Sequence, residues 1–215
     1  MRADYHVHTA FSDDSTYPME DVMRDAIARG IDELCFTEHV DYGIKKDWDE
    51  PGEMPVRKGG VGEPAEMPLA NADYPRYYEA VCAMQEKYAG QIRIRFGLEF
   101  GAQAHTIPRY DLAGAYLFEK LRPVLTEILR AVIADGKGIE LNTSSHRYGL
   151  PDLTPSRDIL RLYHELGGRI ITIGSDSHKP DHLGAYIDEG KAELRALGFR
   201  EFCTFERMQP IFHAL

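Results

Sequence analysis

Histidines and carboxylates gather where short apolar runs end. The chain opens Asp4-Tyr5-His6-Val7-His8 and continues through Ser12, Asp13 and Asp14. Glu38-His39 follows Phe36-Thr37, Glu99 follows Gly97-Leu98, and Asp176-Ser177-His178 follows a run that begins at Ile170. Residues two apart in a strand share a face, so His6 and His8 can grip one ion together. Imidazole nitrogens mixed with carboxylate oxygens suit Zn, Mn or Fe rather than Ca or Mg alone. Each group also has a plainer reading. A strand histidine can be a satisfied polar residue, Glu-His can end a strand before a helix cap, and Ser-Asp-Ser is good turn chemistry. Four of the nine histidines fall on these strand ends, which makes coincidence a poor account of the whole set.

The elements that must position these groups alternate. Residues near 3–8, 32–37, 92–98, 138–142 and 169–174 read as buried strands, and 199–204 as a last short one. Between them, Pro18 suits a first helical turn, Val22, Met23, Ala26 and Ile27 make an apolar stripe, and Gly30 ends it. Further helices are expected over 75–89, over 116–135 with a late start or kink at Pro123, from Thr154-Pro155 to Gly167-Gly168, and over 188–197. This order implies a parallel sheet, open or closed into a barrel, whose active site lies at the strand ends. Residues 43–74 break the rhythm with four prolines and several glycines. They read as a mobile surface loop or as a lid, where Trp48, Arg57 and Lys58 would meet substrate.

At 215 residues the chain is long enough for one substantial core. A net charge of −10 argues against a general nucleic-acid or anionic-membrane binder. A small phosphorylated ligand stays possible, because bound cations dominate a local field. Cys35, Cys82 and Cys203 form no CxxC pair, which favours a reducing cytoplasm. No signal-peptide core and no membrane-spanning apolar run is found.

The stretches DYHVHTAFSDDS, FTEHVDY, GLEFG, IELNTSSHRYG and GSDSHKPDHLG together resemble the PHP (polymerase and histidinol phosphatase) superfamily. They are most similar to its histidinol-phosphatase branch. The resemblance implies a distorted (βα)7 TIM-like barrel with up to three divalent metal ions, Zn, Mn or Fe. It implies a first metal held by His6, His8, Glu99 and Asp176 and a third held by Asp14, His39 and His178, with Glu99 bridging the first and second. Asp176, His178 and Glu99 are then the catalytic set, in a cytoplasmic enzyme of histidine biosynthesis that hydrolyses L-histidinol phosphate.

One departure from that pattern is large. The family's second metal takes two further histidines from the fourth and fifth strands, in an SxH-type and a GHxD-type turn, and neither motif is here. Two βα units are missing between about 107 and 116, so five or six parallel strands and two well-formed metal sites are expected in a single domain over 1–215. His105 is a possible substitute ligand or a plain loop histidine. The lost units would expose strand edges, which favours a homo-oligomer unless the helix over 116–135 folds across the gap. Arg147 can bind phosphate bidentately with Ser144 or Ser145 adding donors, or simply pair with a surface acid. Arg147 also matches an arginine that the phosphatase branch uses on substrate. The alternatives to a histidinol phosphatase are a catalytically weakened metal-binding scaffold and a phosphoesterase for another small substrate.

Overall fold

The computed structural model describes residues 1–58, 65–102 and 118–215. The chain divides into two compact units, Met1–Ala104 with Ser175–Ala185, and His105–Gly174 with Tyr186–Leu215.

In the first unit, β1 (Ala3–Val7), β2 (Glu33–Tyr42) and a later strand, β5 (Arg93–Ala102), form a parallel sheet in the order β1-β2-β5. The β2–β5 ladder is unbroken from Glu33↔Arg93 to Tyr42↔Ala102 and sets His39 opposite Glu99. Helix α1 (Met19–Ala28) lays Val22, Met23 and Ala26 on the sheet, each fully buried, and Gly30 at φ 67° turns the chain out of it. Helix α2 (Tyr74–Lys87) starts at Asp73, whose side chain accepts the Arg76 N–H, and buries Tyr77 and Val81. These side chains close one core with Val7, Leu34, Phe36 and Ile94. Each large apolar side chain buried there contributes about 1.5–3 kcal/mol. At the other end of the sheet Glu33, 1% exposed, accepts from Arg93 Nε at 2.7 Å, Arg95 Nε at 2.9 Å and the Tyr5 hydroxyl, which ties all three strands together.

The segment read as a surface loop or a lid holds a small antiparallel ribbon, β3 (Val56–Lys58) with β4 (Glu66–Pro68). Its base is anchored: Lys46 Nζ donates to the Gly52 and Glu53 carbonyls, and the Asp41 and Lys46 backbones are held by Asn71. Trp48 stands edge-on to Tyr74, and the Arg57 guanidinium turns to the Lys58 carbonyl.

In the second unit β6 (Ile139–Asn142) pairs in parallel with β7 (Ile171–Gly174). Around them are α3 (Phe118–Ala134), the short α4 (Ser144–Arg147), α5 (Arg157–Glu165) and α6 (Ile187–Ala196). Three expectations need correction here. Helix α5 is capped by Ser156, whose side chain accepts the Ile159 N–H, so the capping residue is not Thr154. Helix α3 runs through Pro123, and of its apolar stripe Leu129 is buried while Leu121, Val124 and Ile128 stay exposed. The sixth strand, β8 (Glu201–Glu206), is not part of a parallel sheet. It pairs antiparallel with β9 (Gln209–Ala214) across a turn whose central residues Arg207 and Met208 both have positive φ. Five strands are therefore parallel, in a three-stranded and a two-stranded sheet, and no barrel closes among the described residues. The interval 107–116 and His105 lie outside those residues.

Candidate metal centre

All seven residues expected to hold metal belong to the first unit and meet at the C-terminal ends of its strands. Strand β1 delivers His6 and His8, β2 delivers His39, and β5 delivers Glu99. The loop 175–178 lies along β1 through His8 N–H to Ser177 O at 2.8 Å and Ser177 N–H to His6 O at 3.1 Å. Asp176 sits in that loop at φ 56°, a left-handed conformation that short polar side chains tolerate better than most.

Two groups of donors result. The Glu99 carboxylate lies 3.2 Å from His6 Nε2 and 3.3 Å from His8 Nε2, and Asp176 Oδ1 is 3.7 Å from both. Asp14 Oδ2 lies 3.2 Å from His39 Nε2 and 3.4 Å from His178 Nε2. His39 Nδ1 is 3.1 Å from Glu99, so one imidazole joins the groups. The His8 ring stacks between those of His39 and His178 at 4.3 and 4.1 Å. The ligand atoms of His6, His8 and Asp176 lie within 4.8 Å of one another, as do those of His8, His39 and His178.

The donor set fits cations. His8 Nε2, His39 Nε2 and Asp14 Oδ1 are buried and lack a hydrogen-bond partner of good geometry among the described residues, although charged or polar groups crowd them. Such atoms are costly unless something else satisfies them. The protonation states around His8 also suit metal. Burial pulls His8 down to about 4, which outweighs Glu99's opposing pull. Burial would raise Glu99 and Asp14, but their histidine neighbours hold both well below the usual carboxylate range. At neutral pH the site therefore offers a neutral imidazole beside ionised carboxylates, as a metal requires. His8 is fully buried whereas the Glu99 side chain is 40% exposed, so the centre opens to solvent on the Glu99 side.

The expected phosphate ligands lie in the second unit. Ser144, Ser145 and Arg147 share the single turn of α4. The Ser144 N–H donates to Asn142 Oδ1 at 2.9 Å, Ser145 Oγ is buried without a hydrogen-bond partner among the described residues, and the Arg147 guanidinium lies 5.6 Å from the centre of the Tyr148 ring. His146 stacks on Tyr186 at 5.1 Å.

Sequence reading undervalued two buried acids, Asp4 and Glu38. Asp4 accepts from Ser175 N–H at 2.8 Å, from Ser175 Oγ at 2.5 Å and from Gly184 N–H at 2.8 Å, and so pins the loop that carries Asp176 and His178. Glu38 alternates with Phe36 and Val40 on the face of β2 opposite His39. An acid between apolar neighbours in a strand was the available signal.

Comparison with known proteins gives this arrangement a family. The PHP domain model matches residues 4–113, about half of the chain. The chain belongs to the PHP domain family. A Thermotoga maritima protein named "Probable histidinol-phosphatase" is 28% identical over 226 residues, covering 91% of this chain and 92% of its own. The histidinol-phosphatase of Lactococcus lactis is 25% identical over 279 residues, covering 97% and 96%. The crystal structure of a Lactococcus lactis histidinol phosphate phosphatase, complexed with zinc, L-histidinol and phosphate, shares the fold with a TM-score of 0.71. It is 24% identical and covers 98% of each chain. An alignment of 279 columns is much longer than this PHP chain, so the Lactococcus relative carries segments that this one lacks.

Proposed function

We propose that the chain is a metal-dependent phosphomonoesterase that hydrolyses L-histidinol phosphate to L-histidinol and phosphate. One observation carries the reading: four histidines and three carboxylates converge at the strand ends of a PHP domain, with buried nitrogens left for cations. The naming of relatives that match over nearly their whole length supports the substrate.

His6, His8, Glu99 and Asp176 would hold one ion, and Asp14, His39 and His178 another. Zinc is favoured by the donor chemistry and by its presence in the Lactococcus structure. When bound, such ions neutralise phosphate charge and lower the pKa of water to make a nucleophile at neutral pH. The chain's own residues supply the rest. Asp176, His178 and Glu99 fix the geometry of the reacting end. Arg147, with Ser144 and Ser145, is the proposed phosphate clamp. Among the described residues, no serine near the centre is free to attack phosphorus. The protons of Ser12, Ser15, Ser175 and Ser177 are engaged by Glu38, the His178 carbonyl, Asp4 and the Lys179 carbonyl. Cys35 is buried.

Three finer readings go with this proposal. The fold is of the PHP barrel type, in an incomplete form. The chain works as a homo-oligomer, since Phe96, Leu98 and Phe100 on β5 are 39–60% exposed. The chain acts in a reducing cytoplasm, as three free thiols suit. A weakened metal-binding scaffold is the second reading, favoured by the two donor groups found where the family holds up to three ions.

The test is phosphate release from L-histidinol phosphate with added Zn, Mn or Fe, alongside metal content per chain. Hydrolysis with about two ions per chain supports the proposal. Metal binding without hydrolysis of this substrate, but with hydrolysis of a nucleotide or sugar phosphate, replaces the substrate. Metal binding with no hydrolysis at all selects the scaffold.

A further inference from the structure

The Glu38 carboxylate is 0% exposed and is not among the expected ligands, yet four contacts converge on it. Thr9 N–H lies 3.0 and 3.1 Å from its two oxygens, Thr9 Oγ1 donates at 2.7 Å and Ser12 Oγ at 2.6 Å. The Thr9 oxygen in turn accepts the Phe11 N–H at 3.3 Å, so its own proton is committed to Glu38. Ser12 Oγ also lies 3.2 Å from the His39 backbone N–H, which can only donate, and 3.2 Å from His8 Nδ1.

A hydroxyl carries one proton and two lone pairs. The shortest Ser12 contact is to the carboxylate, so its proton goes there. The lone pairs then receive the His39 N–H and whatever His8 Nδ1 presents, which must be a proton. A neutral imidazole with Nδ1–H has its lone pair on Nε2. That atom is buried, lacks a hydrogen-bond partner of good geometry among the described residues and faces Glu99 and Asp176 at 3.3 and 3.7 Å.

We propose that Glu38, acting through Ser12, is a positioning residue that fixes His8 as the Nδ1–H tautomer and so holds its Nε2 lone pair ready for a metal ion. The same serine holds the backbone of His39, so one buried acid orders a ligand from each of two strands. Metal-bound histidines generally depend on a partner of this kind at their second nitrogen. The inference rests on the reading of His8 as a ligand.

The experiment is long-range 15N–1H correlation NMR on histidine-labelled, metal-free full-length protein at about pH 8, above the ordinary imidazole range. Zinc affinity is measured in parallel by competition with a chelating dye. Wild type should show His8 protonated on Nδ1. Glu38→Gln and Ser12→Ala should give a mixed or reversed tautomer for His8 and zinc affinity about 10–100-fold weaker. Ser12→Thr, which keeps the hydroxyl, should restore both. Wild-type His8 protonated on Nε2 overturns the inference even if no variant folds. A wild-type tautomer that persists in Ser12→Ala overturns it as well. Absence of zinc binding by wild type would instead overturn the metal-centre reading, and the tautomer would remain a separate result.

Discussion

Glu33→Gln should destabilise the protein by about 2–4 kcal/mol at neutral pH. Breaking a buried ion pair costs about 3–5 kcal/mol, but Arg93 is 54% exposed and Arg95 24%, so solvent screens part of the loss. For a chain of this size each kcal/mol moves Tm by about 2–4 °C, so a fall of about 4–16 °C is expected. Burial raises the Glu33 pKa, but the two arginines and Tyr5 outweigh it and the net shift is downward. A depressed folded pKa means stability that is present above the unfolded value and lost as pH falls through the folded one. The gap between wild type and Glu33→Gln should therefore be full at about pH 7 and shrink as pH falls below the ordinary glutamate value of about 4.3. Urea titration of metal-free protein, followed by fluorescence of the single tryptophan, Trp48, measures both. A gap under about 1 kcal/mol at neutral pH, or one that does not shrink in acid, would refute the argument that this network ties β1, β2 and β5 together.

Other outcomes follow from the site and its supports. Chelator treatment should lower Tm reversibly, because ligand at about 100 times its Kd stabilises by about 2.7 kcal/mol; an unchanged melt would mean no metal links to folding. His8→Ala should reduce metal content and phosphatase activity together, as read by metal analysis and phosphate release. Asp4→Ala should lower both stability and metal content, since three donors from the 175–184 loop lose their acceptor, at about 1–3 kcal/mol for a buried donor left unsatisfied. Phe100→Lys should shift the protein toward monomer in light scattering, whereas a wild-type monomer at micromolar concentration removes the oligomer proposal.

Much of the first unit was legible because periodicity and chemistry coincide there. His6, His8, His39 and Glu99 each end a run long enough to bury, and strand alternation alone places His6 with His8. The β8–β9 hairpin was not legible, because Arg207 and Met208 occupy positive-φ positions that glycine and asparagine usually mark. The exposure of Leu121, Val124 and Ile128 on α3 was not legible either. Helical spacing tells that a face is apolar, not that a partner covers it. Glu38 and Asp4 were visible as acids near a site, but a hydrogen-bond network among backbone amides leaves no pattern along the chain.

The pairing of His39 with Glu99 has a consequence for folding fidelity. A slip of one residue between β2 and β5 would turn Leu98 or Phe100 toward His39 in place of the carboxylate. The two strands are parallel and lack a tight turn to fix their alignment, so many offsets compete during folding. An ion that needs both side chains would reward a single offset. Metal would thus proofread the sheet, and the metal-loaded fraction of a preparation would count the molecules whose strands are in register.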